Sequence, residues 1–128
     1  MLIKIPVSTG ELIDKITILE IKKLKINDKL KLISINKEHK YLKDILTKKI
    51  KITKVIKNNF TLLKDINLIL WDIEDIKRNA EKNKKFDKTF ISLARKVYIY
   101  NDKRAEVKSI INKMTGSDII EVKSYKKY

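Results

Sequence analysis

Arginine stands at only three positions, Arg78, Arg95 and Arg104, although Lys and Arg together number 31 of 128 residues. Where lysine is the default cation, an arginine marks a place that needs a planar two-pronged donor rather than a point charge. All three fall in two polar stretches, Trp71 to Arg78 and Arg95 to Lys108. At roughly 100° per residue, Arg104 lands in the middle of an apolar stripe of Val97, Tyr100, Val107 and Ile111, flanked by Asn101 and Lys108. Arg95, Tyr98 and Asp102 line a neighbouring strip. In the earlier stretch Asn67, Trp71, Glu74 and Arg78 share an arc of about 60° beside a core stripe, with Asp75 further round.

A polar group on a core-facing position must be paired or must face a ligand, because unpaired burial costs several kcal/mol. Arg104 is therefore either half of an interhelical salt bridge or the wall of a pocket. The pocket reading assigns Arg78, Arg95 and Arg104 to phosphate or carboxylate oxygens, and Asn101 and Lys108 to the same ligand. Glu74, Asp75 and Asp102 would bind hydroxyls or a Mg²⁺ ion, and Trp71 or Tyr98 would stack on a ring. Such a set suits an anionic small molecule of nucleotide or sugar-nucleotide type. Glu20, set among Ile13, Ile16 and Leu24, also needs a cation, and Arg104 is one candidate. Glu11 and Asp14 sit where a helix N-terminus favours negative charge.

Known catalytic signatures are missing. There is no G-x-x-x-x-G-K-[ST], G-x-G-x-x-G or H-E-x-x-H, and two glycines cannot build a phosphate-cradling loop. The only histidine, His39, falls between Ile35 and Leu42 and reads as a core residue. Whether the chain is an enzyme stays open.

The elements that must position these residues are helices. Pro6 biases Ile5 away from helix, so MLIKIP is an extended lead-in. Ser8-Thr9-Gly10-Glu11 fits a capping box and starts a helix over about 9–26 that is apolar on most sides, hence central. After Asn27-Asp28 a second helix reaches about Thr47, with Leu32, Ile35, Leu42 and Leu46 inward. Residues 47–59 lack a clear period and fit a loop, a helix extension or a hairpin tip. A third helix, about 60–83, repeats Leu62, Ile66, Ile69, Ile73, Ile76 and Ala80. The fourth, about 87–115, carries Phe86, Phe90, Leu93, Val97, Tyr100, Val107, Ile111 and Met114 and stops at Gly116. The tail should lie over the bundle through Ile119, Ile120 and Tyr125. The expectation is an all-α antiparallel bundle of about four helices, forming a single domain over 1–128.

Composition narrows the setting. With no cysteine there is neither disulfide nor thiolate metal site, and no apolar run approaches the ~18 residues of a membrane span. The N-terminus lacks a signal-peptide pattern, and the expected location is the cytoplasm. A net charge of +15 invites nucleic acid as a partner. Against it, Lys, Ile and Asn make up nearly half the chain, as A/T-rich codons would produce, and the lysines are spread rather than blocked.

The segments IPVSTGELIDKITILEIK at 5–22, LWDIEDIKR at 70–78, FDKTFISLARKVYIYNDKRAEVKSIIN at 86–112 and EVKSY at 121–125 resemble a bacterial and phage family of unknown function across nearly the whole chain. The middle segment also resembles a second uncharacterised helical family with a tryptophan–acidic–arginine pattern. The resemblance implies no activity, but it links such chains to glycan synthesis. The alternative function is accordingly a non-enzymatic interaction module accessory to a glycan-synthesis enzyme, acting with a protein partner or as a homo-oligomer. Glu11-x-x-Asp14 partly resembles the Mg²⁺ motif of helical nucleotide pyrophosphohydrolases but lacks the doubled glutamate. ELIDKITILEIK resembles the first helix of helical chorismate mutases without its arginines.

Overall fold

Ser8 opens the first helix. In the computed structural model, which describes residues 1–128, the Ser8 hydroxyl accepts from Glu11 N at 3.1 Å and α1 runs Thr9–Lys25. Lys22, Lys23 and Lys25 stand in its last turn, where the helix dipole favours cations. Only half of the expected capping box forms, because the Glu11 carboxylate turns to Lys108 instead of back to Ser8. The chain breaks at Ile26, which is extended, and Asp28 caps α2 (Lys29–Lys49) by accepting from Lys31 N.

Thr53 caps α3 (Lys54–Lys82), so α3 begins six residues before the expected start. The aperiodic stretch therefore divides three ways: the end of α2, a short connector over 50–53, and the first turns of α3. Asp87 caps α4 (Lys88–Thr115), and Gly116 ends it at φ 61°, a left-handed conformation that suits glycine. No strand is present, and the four helices form the all-α bundle expected. No helix is long and apolar enough to cross a membrane.

α1 is central, as its apolarity on most sides implies: it alone packs against each of the other three helices. Leu12, Ile13 and Ile16 meet Leu46 of α2, Ile56, Leu63, Ile66 and Leu70 of α3, and Val107 and Ile111 of α4 in one core cluster. The third helix is rotated relative to its sequence reading. Leu63, Ile66, Leu70 and Ile73 are buried, whereas Leu62, Ile69 and Ile76 face outward. α3 is apolar over too wide an arc for periodicity to choose, and the choice is made by Asn67, which must reach α1. On α4 only Val107 and Ile111 of the expected stripe are fully buried, and Phe86 and Met114 are exposed. At ~1.5 Å per residue α1 is too short to cover the 28 residues of α4, so the far end of the α3–α4 hairpin is covered by neither α1 nor α2.

Two further expectations are corrected. Ile119, Ile120 and Tyr125 are exposed, and the tail is attached by polar contacts instead. His39 is not a core residue but a bridge between α2 and α1. Lys23 Nζ donates to Nδ1 at 2.9 Å, which makes Nε2–H the donor to Glu20 Oε2 at 3.1 Å. Glu20 is completed by Lys64 at 3.1 Å, so Arg104 is not its partner. Burial works to raise the Glu20 pKa, but hydrogen bonds from His39 and Lys64 outweigh it and hold the carboxyl below its usual value.

Candidate functional site

One side of α1 is small and polar rather than apolar. Gly10, Asp14 and Thr17, four and three residues apart, share it. Gly10 lets α1 approach α4 so closely that its N–H donates to Asn112 Oδ1 at 2.6 Å. Asp14, 1% exposed, is held from three elements. Thr17 donates to the Asp14 carbonyl at 2.7 Å. Asn67 of α3 donates to Asp14 Oδ1 and to Thr17 Oγ1, each at 2.8 Å. Arg104 of α4 completes a fork, Nε donating to Oδ1 at 2.9 Å and Nη2 to Oδ2. Every buried side-chain polar atom in the molecule has a partner.

Arg104 thus forms a salt bridge and also lines cavities. A cavity of about 700 Å³ lies between α4 and the tail, bordered by Tyr98, Asn101, Asp102, Arg104 and Lys108 together with tail residues from Glu121 to Tyr128. A second, of about 290 Å³, lies between α1 and α3 and is bordered by Trp71, Glu74, Asp75 and Arg78, again with Arg104. The expected site residues therefore separate into two groups that share one guanidinium. Arg95 is exposed and borders neither cavity. The acids reserved for Mg²⁺ are split likewise, with Glu74 and Asp75 on one side and Asp102 on the other. No group of three metal-ligating side chains comes together, and the residues do not fit a resident metal.

The larger cavity is electrostatically balanced. Lys108 Nζ is buried at its floor, 2.7 Å from Glu11 Oε2 and 2.9 Å from Glu121 Oε2. Burial would lower its pKa, but the hydrogen bonds to Glu11 and Glu121 outweigh burial and raise it. Lys123 lies 2.6 Å from the other oxygen of Glu121. Tyr128 donates to Asp102 Oδ2 at 2.5 Å, and its ring meets Tyr98 edge-on at 5.1 Å between centroids. Lys126 borders the cavity without an ion-pair partner, and Arg104 Nη1 makes no bond to protein.

Nothing in the sequence singles out Asn112 or the tail's Glu121, Lys123, Lys126 and Tyr128, and Tyr125, expected to lie over the bundle, borders the cavity instead. The 4-and-3 spacing of Gly10, Asp14 and Thr17 is a legible sign of a close helix crossing. The tail has no such sign, because it has no period to read.

Glu121 makes the attachment of the tail testable by pH. Lys123 first, and then Lys108, hold its carboxyl down from 4.5 to about 2. Lys123 moves with the tail, so only the Lys108 bond ties Glu121 to docking, and that contribution is present at neutral pH and lost as the pH falls through about 2. The Tyr125 and Tyr128 proton resonances, followed by NMR, are expected to keep docked positions through most of that interval. Glu121→Gln should release them at neutral pH. A release centred near the ordinary carboxylate value would show that Glu121 does not hold the tail.

A family model described as a family of unknown function, DUF6165, matches residues 3–128. No curated protein and no solved structure matches the chain.

Proposed function

We propose that this chain, which belongs to the DUF6165 family of unknown function, binds a small anionic molecule of nucleotide or sugar-nucleotide type in the cavity between α4 and the tail. The observation that carries the reading is the grouping of two ion-paired cations, Lys108 and Arg104, and the unpaired Lys126 with the three tyrosines Tyr98, Tyr125 and Tyr128 around one space of about 700 Å³. That volume is within the usual range for a ligand pocket. A planar ring packs against a tyrosine face, hydroxyls donate to Asp102 or Glu11, and Asn101 offers both a donor and an acceptor. The anionic group goes to Lys126, to the uncommitted Nη1 of Arg104 and to Lys108.

Because Glu121 holds Lys108 and Lys123 in the absence of ligand, a phosphate gains those cations by exchange with it. Trp71, Glu74, Asp75 and Arg78 lie beyond Arg104 and would sense the ligand only through that side chain. The accessory-module reading draws support from a separate feature, the exposed apolar residues of the lead-in and of α3. Nucleic acid has only the overall charge in its favour.

The test is a thermal-shift panel of nucleoside phosphates and sugar nucleotides. A true ligand at a hundred times its Kd adds about 2.7 kcal/mol of stability. Lys126→Ala should weaken that ligand about tenfold while leaving the unliganded melting temperature unchanged, since Lys126 holds no ion pair. No shift with any member of the panel, on a folded chain, removes the proposal. A ligand-free chain that instead binds DNA or RNA with steep salt dependence would favour the nucleic-acid reading.

A further inference from the structure

The two walls of the larger cavity are built differently. α4 is held by helical backbone hydrogen bonds, whereas the tail beyond Ser117 makes no backbone-to-backbone hydrogen bond. Its root is firm. Gly116 turns the chain at φ 61°, Ser117 N donates to the Asn112 carbonyl at 2.9 Å, and Ser117 Oγ accepts from Thr9 N of α1 at 3.2 Å. From there to Tyr128, two side chains tie the tail to α4: Glu121 on Lys108 and Tyr128 on Asp102. The tail thus runs back along α4. Positions 108 and 102 lie about 9 Å apart along the helix axis, whereas the seven steps from Glu121 to Tyr128 can span about 23 Å. The segment between the ties is longer than the gap it crosses, and it roofs the cavity with Lys123, Tyr125 and Lys126.

The two ties differ in strength. Lys108 is buried and is held by Glu11 as well, so the Glu121 tie sits on a fixed, desolvated cation. Tyr128 is 77% exposed, and its hydrogen bond to Asp102 and its edge-on contact with Tyr98 both meet solvent. A hydroxyl that leaves its partner in water gains water in exchange, so such a bond adds little net stability. The Tyr128 tie therefore opens first.

We propose that the tail is the gate of this cavity, rooted at Ser117, kept in register by Glu121 and latched by Tyr128 on Asp102. Release of the latch lifts Tyr125 and Lys126 from the mouth, and closure sets them over whatever has entered. Burial fixes the order of events: Tyr128 leaves Asp102, and only then does an anion reach Lys108 and displace Glu121. That the entrant is an anionic small molecule rests on the reading above, whereas the latch stands on the tail's own contacts.

Access to the cavity wall tests the gate without any ligand. The chain lacks cysteine, and Ala105 borders the cavity while Ala94, also half-buried on α4, does not. Ala105→Cys and Ala94→Cys are made separately in the full chain, and their rates of reaction with a fluorescent maleimide are compared. Adding Tyr128→Phe should speed the reaction of Ala105→Cys about threefold, and adding Tyr128→Ala about tenfold, because the first removes the hydrogen bond and the second the ring contact too. Ala94→Cys should keep its rate in both backgrounds. Unchanged rates at Ala105→Cys would mean a fixed wall or a tail that never closes, and either overturns the gate. An equal rise at Ala94→Cys would show a general loosening of α4 and overturns it as well. A second readout uses the native chain: nuclear Overhauser contacts are expected between the rings of Tyr98 and Tyr128, whose centroids lie 5.1 Å apart. Their absence rules out the latch. Latch-dependent access in a chain that binds no member of the nucleotide panel would support the gate and remove only the ligand reading.

Discussion

Arg104→Leu is expected to lower the unfolding free energy by about 3 kcal/mol, measured by urea denaturation at neutral pH. The loss comes less from the missing contact than from what remains. Asp14 is buried to 1% exposure, and without the fork its carboxylate keeps only Asn67 as a side-chain donor. Stranding a buried charge in this way costs about 3–5 kcal/mol. The lower figure is expected here because Arg104 is itself partly open to solvent, which screens its side of the pair. Arg104→Lys should lose about half as much, since an ammonium keeps the charge but cannot donate to both oxygens in one plane. The double variant with Asp14→Leu should be less destabilised than the sum of the singles by about 2 kcal/mol, because it leaves no charge without a partner. A loss below about 1 kcal/mol for Arg104→Leu would place the pair with ordinary surface ion pairs and would free the guanidinium for ligand alone.

Gly10→Ala should cost about 2–3 kcal/mol of stability by the same measurement. This runs against helix propensity, which favours alanine over glycine by about 1 kcal/mol in a helix. The decisive quantity is distance. A Cβ at Gly10 would lie 2.6 Å from the Lys108 carbonyl oxygen and 2.9 Å from Asn112 Oδ1. A carbonyl inside α4 cannot rotate aside, so α1 must move away from α4 at its N-terminus. That movement stretches the Gly10–Asn112 hydrogen bond and the Lys108–Glu11 pair together. The larger cavity opens with them, so the variant should also weaken any ligand bound there. A stabilising Gly10→Ala would mean that the two helices are not in close contact.

Both results concern a part of the molecule that was only half legible in the sequence. Arg104 stood out because a cation on an apolar stripe violates the pattern. Its partner did not, because Asp14 near a helix N-terminus already has a sufficient local explanation in the dipole. Glu20, the acid that looked most in need of a cation, found one on a neighbouring helix, Lys64, together with the Nε2–H donor of His39. His39 was misread for a related reason. A histidine between two apolar residues is indistinguishable from a core residue until the neighbouring helix is seen to present Glu20 and Lys23 beside it.

The Arg95-to-Lys108 stretch shows where the boundary lies. The sequence by itself determined that these residues are helical, that Arg104 and Lys108 share a side of the helix with apolar residues, and that the chain is a bundle of four helices with α1 at its centre. Those properties follow from a local period and from capping residues, which act within a turn or two of the chain. The tertiary structure alone decided that Arg104 binds Asp14 ninety residues away, that Arg95 stands outside, and that a tail without a period forms the other wall of the cavity. Pairing across helices depends on their rotation and separation. In this chain a glycine at position 10 and an asparagine at position 67 set these, and neither residue says in advance which helix it will meet.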